Sequence, residues 1–239
     1  MEGNPGQVIV TEVSALSLMR LMHLASPTLP VGAYSYSQGL ESAVDAGIVT
    51  DESGARRWIT DVLTHSMARL EAPVFCRFYR AWGAMDIAAI SHWSAWFLAS
   101  RDSAEFRAET VQMGYSLARL LRELFPNDSL TPLLSPVAGA DLPYPGALGA
   151  ACVMLGTPLD ASLGACLFSW AENQVLAAIK AVPLGQVAGQ RLLFALEQPL
   201  LNAAATALVL KDHELSNWTP GLSLLSMRHE TQPSRLFRS

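Results

Sequence analysis

The chain has 239 residues, of which 51% are apolar and only 15% charged, with a net charge of −5. That charge fraction lies well below the roughly 25% usual for soluble domains, and the acidic balance excludes nonspecific nucleic-acid binding, which runs on basic surface. So little charge cannot coat a whole surface, so part of the apolar excess is expected to face another subunit or a membrane.

Segment lengths bear on the membrane. The longest uncharged run, residues 142–159 (LPYPGALGAACVMLGTPL), is broken by Pro143, Pro145 and Pro158, and a spanning helix wants about 20 mostly apolar residues. The opening MEGNPGQVIVTEVS carries Glu2 and Glu12 without a basic cluster, unlike a secretory signal. The expectation is a cytoplasmic protein whose apolar surplus meets protein, not lipid. Cys76, Cys152 and Cys166 form no CxxC pair. Their odd count argues against a disulfide framework or zinc ribbon, and buried reduced thiols are expected.

Helical periodicity runs nearly throughout. Ser14 caps a first helix that ends before Pro27; Ser35 or Ser37 opens a second, closed by Gly47; Asp51 opens the clearest stripe, Ala55, Trp58, Ile59, Val62, Leu63, Met67 and Leu70. Pro73 suits the first turn of a fourth helix carrying Val74, Phe75, Phe78 and Trp82. Helices follow over 86–98 and 103–124, then a Pro/Gly-rich loop over 127–146, then helices over 147–155, 161–182 and 186–210, the last with Pro199 inside it. Strand alternation is absent except for residues 8–11. The reading is all-α: one helical bundle of about ten helices over residues 13–218, preceded by a segment over 1–12. Residues 219–239 form a polar, irregular tail, flexible or ordered by a partner. Residues 227–239 hold three Arg and one Glu, so the tail carries +2 and the rest of the chain −7.

The usual carriers of catalysis are missing. Gly32 and Gly39 have the wrong spacing for a phosphate loop and no lysine follows them; the chain's only lysines are Lys180 and Lys211. Ser35 and Ser37 lie between tyrosines with no strand before them, so Ser37 reads as a helix cap and not as a nucleophile at a strand-to-helix turn. His23, His65 and His92 form no HExxH pair, while His213 and His229 sit near Asp212, Glu214 and Glu230, which by sequence neighbourhood alone make a weak metal site. What remains is a stretch of small residues and tyrosines plus a basic tail, and Tyr and Arg are the types that anchor interfaces.

Three blocks resemble the urease accessory protein UreF family: residues 29–41 (LPVGAYSYSQGLE), residues 178–186 (AIKAVPLGQ) continued by 189–193 (GQRLL), and residues 226–239 (SMRHETQPSRLFRS). The resemblance implies a non-enzymatic all-α scaffold without cofactor, catalytic residue or metal ligand. It would form a homodimer, bind UreD (UreH in some organisms) and recruit the GTPase UreG, which carries nickel toward apo-urease, while modulating GTP hydrolysis by UreG. The residues expected at partner surfaces are Pro30, Gly32, Tyr34, Tyr36, Ser37, Gly39 and Glu41 in the first block and Lys180, Gly185, Gln186 and Gln190 in the second. In the tail they are Arg228, His229, Arg235, Leu236, Phe237 and Arg238. The rival readings are a helical enzyme acting through His65, Glu71 and Arg69, and a nickel store on His213 and His229.

Overall fold

The computed structural model describes residues 13–135 and 141–239, so the strand expected over 8–11 lies outside the described residues. Helices dominate throughout and no strand occurs among those residues. Helix α1 (Ala15–Ala25) starts at Ser14, whose side chain accepts from the Ser17 N–H. A short α2 (Leu40–Asp45) follows a 3-10 turn, Ala33–Ser35. Asp51 caps α3 (Glu52–Val62) by accepting from the Gly54 N–H, so each capping carboxylate or hydroxyl satisfies a backbone donor left over at the helix start.

From α3 the chain passes through a π-helical stretch, Leu63–Glu71, into α4 (Ala72–Gly83) without leaving the helix axis. Pro73 explains the widened turn: it has no N–H to give, and its ring crowds the carbonyl of residue 69. The Ala72 N–H bonds to the Met67 carbonyl, and the released Arg69 carbonyl accepts from the Ser216 N–H at 3.2 Å. The predicted stripe is buried as expected, with Ala55, Ile59, Leu63 and Leu70 fully enclosed; Trp58 is half-buried.

Helix α4 is the core of the bundle. Phe75, Phe78 and Trp82 are among its largest enclosed side chains, each contributing about 2–3 kcal/mol of burial. It packs on α5 (Ile87–Ala99), α7 (Tyr144–Met154), α8 (Leu159–Ala181) and α9 (Gln186–Val209). The close partners α6 (Ala104–Leu124) and α7 meet where Gly114 faces the Leu142 carbonyl; a Cβ there would lie 2.1 Å from that oxygen. Only glycine permits that approach.

Among the described residues one helix, α9, is long and apolar enough to cross a membrane by length and composition. Reading uninterrupted runs missed it because Arg191 and Glu197 punctuate the stretch. In the fold, Ala188, Gly189, Leu192, Leu196, Ala203 and Ala207 of α9 are buried. Val187, Phe194, Leu201 and Val209 point outward.

The expectation of an irregular tail is corrected over Pro220–His229, which forms α10. Leu222, Leu225, Ser226 and His229 are its buried residues, at the i, i+3, i+4, i+7 spacing of one helix face. This face packs on α2 and α6, and Ser226 Oγ shares a 2.7 Å hydrogen bond with Ser103 Oγ.

Candidate docking surface

Residues 230–239 return across the first block and are tied to it through both side chains and backbone. Glu41 on α2 is the anchor: its Oε1 accepts from the Leu236 N–H at 2.7 Å, and its Oε2 accepts from the Phe237 N–H at 3.0 Å and faces His229 Nε2 at 3.1 Å. Beside it, the Arg238 N–H donates to the Ser35 carbonyl at 2.8 Å. The Ser239 backbone oxygen takes three donors, the Ser37 N–H at 2.5 Å, the Ser37 hydroxyl at 2.6 Å and the Gln38 N–H at 3.2 Å. Ser37 Oγ also accepts from the Glu41 N–H at 3.3 Å, so it serves the start of α2 as expected while holding Ser239. Gly39, not Ser37, is the residue immediately before the helix, with φ +82°, and its bare Cα leaves room for Leu222 of α10.

The imidazole of His229 is completely enclosed. Its Nδ1 lies 2.9 Å from Glu105 Oε2 on α6, opposite the Glu41 contact, so both ring nitrogens face carboxylate oxygens. Only a ring protonated on both nitrogens donates to both. Arg235 adds a 3.2 Å bond to Glu105 Oε1.

A third carboxylate, Glu109, lies one turn further along α6. It accepts from Ser239 Oγ at 3.1 Å and from Gln38 Nε2 at 2.6 Å. Burial, only partly offset by the Gln38 and Ser239 bonds, pushes the Glu109 carboxyl up to about 7. Gln38 also accepts from Trp170 Nε1 at 2.7 Å. The sequence reading passed over Gln38, although its place between Ser37 and Gly39 was a signal: it holds φ +54°, unusual for a residue with a side chain. Behind it lies a cavity of about 70 Å³ walled by Phe75, Phe106, Tyr144 and Trp170. Arg101 Nε and Gln174 Oε1, on two of its lining residues, have no hydrogen-bond partner among the described residues.

The expected contact residues therefore divide into two groups. Tyr36, Ser37, Gly39, Glu41, His229 and Phe237 are buried where the carboxy-terminal part of the chain, α10 and residues 230–239, packs on the first block and α6. Pro30, Tyr34, Lys180, Gly185, Gln186, Gln190, Arg228, Arg235, Leu236 and Arg238 are exposed, and Gly32 is half-buried. Tyr34 is 60% and Leu236 70% exposed. Lys180 is brought to the same place, its Nζ 5.6 Å from the Phe237 ring. Residues from all three sequence blocks thus meet at one surface.

The rival sites do not assemble. Glu71 is paired with Arg101 at 2.5 Å, while His65 and Arg69 are exposed. His213 sits on an exposed turn, Asp212–Glu214, whose Asp212 pairs with Arg77 at 2.7 Å, whereas His229 is enclosed between Glu41 and Glu105. Among the described residues no group of three or more His, Cys, Asp and Glu is arranged to hold a metal ion. Burial pushes the Cys76 and Cys152 thiols up to about 11, away from reactive thiolates.

Fold and site together define an all-α protein with a self-docked carboxy-terminal segment and a partly apolar, partly basic surface around it. The UreF family profile matches residues 49–197. Over 228 residues the chain is 56% identical to the urease accessory protein UreF of Janthinobacterium sp. (strain Marseille), covering 95% of this chain and 100% of that protein. It is 52% identical to the protein of that name from Azoarcus sp. (strain BH72), over 94% and 96% of the two chains, and 50% identical to that of Nitrosospira multiformis, over 93% and 98%. The chain belongs to the UreF family.

Proposed function

We propose that this chain serves urease maturation as a non-enzymatic scaffold. In this reading it dimerises, binds UreD (UreH) and recruits the GTPase UreG for nickel delivery to apo-urease, adjusting GTP hydrolysis by UreG. Family membership supports the maturation role. The observation that carries the docking reading is the convergence of exposed Tyr34, Lys180, Leu236 and Arg238 around the docked segment. An exposed aromatic and an exposed leucine flanked by cations are the ingredients of an interface anchor, and the fixed cations would steer an acidic partner.

The test is co-purification of the full chain with UreD and UreG, comparing the unaltered protein with Tyr34→Ala and Leu236→Glu. Both side chains are exposed, so each variant is expected to keep its circular dichroism and thermal midpoint while losing UreD. Truncation before His229 would be a poorer test, because it also removes the enclosed His229 and Phe237.

A further inference from the structure

The cavity of about 70 Å³ behind Gln38 combines an aromatic wall, Phe75, Phe106, Tyr144 and Trp170, with polar side chains whose bonding is incomplete. Met67 and Glu71 enter the wall from the π-helical stretch, and such widened turns recur at functional sites. The Arg101 side chain is only 5% exposed. Its Nη1 donates to Glu71 Oε1 at 2.5 Å and its guanidinium lies 4.1 Å from the Phe97 ring, while its Nε has no acceptor among the described residues. Gln174 is 1% exposed. Its neighbours fix the orientation of its amide. Trp170 Nε1 can only donate, so the Gln38 atom facing it at 2.7 Å is the oxygen. Gln174 Nε2 meets that same oxygen at 3.4 Å, which leaves Gln174 Oε1 without a donor among the described residues. One donor and one acceptor, both enclosed, are thus unmatched on residues of one cavity wall, and such groups are costly to leave so.

We infer that this cavity is a binding site for a small uncharged molecule of the amide class, its carbonyl accepting from Arg101 Nε, its N–H donating to Gln174 Oε1 and its apolar part lying against the aromatic wall. Water alone would match the two polar groups but not the aromatic wall; an amide answers both. The charges in the wall disfavour an ion. Arg101 and Glu71 neutralise each other, and burial holds the Glu109 carboxyl up to about 7, so below that pH the wall has no surplus charge to offer. The volume is well under the roughly 300 Å³ of a pocket for drug-sized ligands, which limits the occupant to a few heavy atoms. Ala33, Ser169 and Asn173 in the wall are half-buried, so the cavity lies close beneath the surface. This site lies behind the docking surface and does not depend on UreD binding there.

The test is a titration of the full chain with propionamide, followed by proton–nitrogen NMR at the Trp170 indole N–H and the Gln174 side-chain amide. Both signals are expected to shift and saturate, while the indole of Trp218, 82% exposed and outside the cavity, does not follow. Butanone has the same shape without the N–H, and propionate carries a charge; each is expected to bind about tenfold more weakly or worse. Gln174→Met keeps the volume and removes the acceptor, and Arg101→Lys keeps the charge facing Glu71 and removes Nε. Each is expected to weaken propionamide about tenfold. Shifts that do not saturate, or that Trp218 shares equally, would overturn the inference, as would butanone binding as tightly as propionamide. Ordered water as the sole occupant of the cavity in a crystal soaked with propionamide would also overturn it. Should Gln174→Met fail to fold, Arg101→Lys and the butanone comparison decide: weakening in both supports the site, and unchanged affinity in either contradicts it.

Discussion

Glu41 shows how one side chain unites distant sequence. It sits in the first turn of a six-residue helix, too short to persist alone, and binds residues almost two hundred positions away. Replacing it by Gln leaves one acceptor oxygen for two N–H groups and removes the charge facing His229. The expected cost is about 2–3 kcal/mol, read from urea unfolding, with exchange protection lost first in residues 236–238. Gly114→Ala acts by a different route. The added methyl would meet the Leu142 carbonyl at 2.1 Å, so α6 and α7 must separate, at a cost of roughly 2 kcal/mol or more. At this scale the sequence was legible where a residue's role is local, as for Ser14 and Asp51. It was opaque for Glu41 and Gln38, whose partners are set only by the folded chain.

Elements were read well where periodicity and caps agree, as in α3, and poorly where a helix has to be completed by its neighbours. Helix α10 was legible in principle, with Pro220 at its start and Leu222, Leu225, Ser226 and His229 on one face. Polar residues at 226 and 229 hid the stripe, because their burial depends on Ser103, Glu41 and Glu105. The π-helical stretch before Pro73 left no pattern beyond the proline itself. Arg77 holds this region against the turn after α9. It bonds Asp212 through Nε and Nη2, the Leu210 carbonyl through Nη2 and the Pro73 carbonyl through Nη1, with its guanidinium 5.5 Å from the Trp93 ring. Arg77→Met is expected to destabilise the chain by about 3 kcal/mol, since the buried Pro73 carbonyl and the part-buried Leu210 carbonyl lose a donor. Asp212→Asn should cost less, because Asp212 is exposed. A urea titration of both variants measures the difference.

For the whole molecule, the buried Glu109 sets a direction for stability against pH. Its folded carboxyl is raised from 4.5 to about 7, so its contribution is fully present below about 4.5 and is lost as pH rises through about 7. Thermal midpoints between those values are expected to fall with pH by this group's share, and Glu109→Gln to flatten that slope. The all-α class was legible because low β-branched content and helical spacing act along the whole chain. The residues of the proposed docking surface stood in the sequence only as three separate blocks; their convergence is a product of packing. The low charge fraction finds its counterpart in outward apolar side chains on α1, α9 and around residue 236. The proposal that bears most weight is that the surface around the docked segment binds UreD. The most direct measurement is the affinity of the full chain for UreD, with and without Leu236→Glu, at equal circular dichroism. A loss of tenfold or more is expected, corresponding to about 1.4 kcal/mol. Unchanged affinity in both Leu236→Glu and Tyr34→Ala would contradict it.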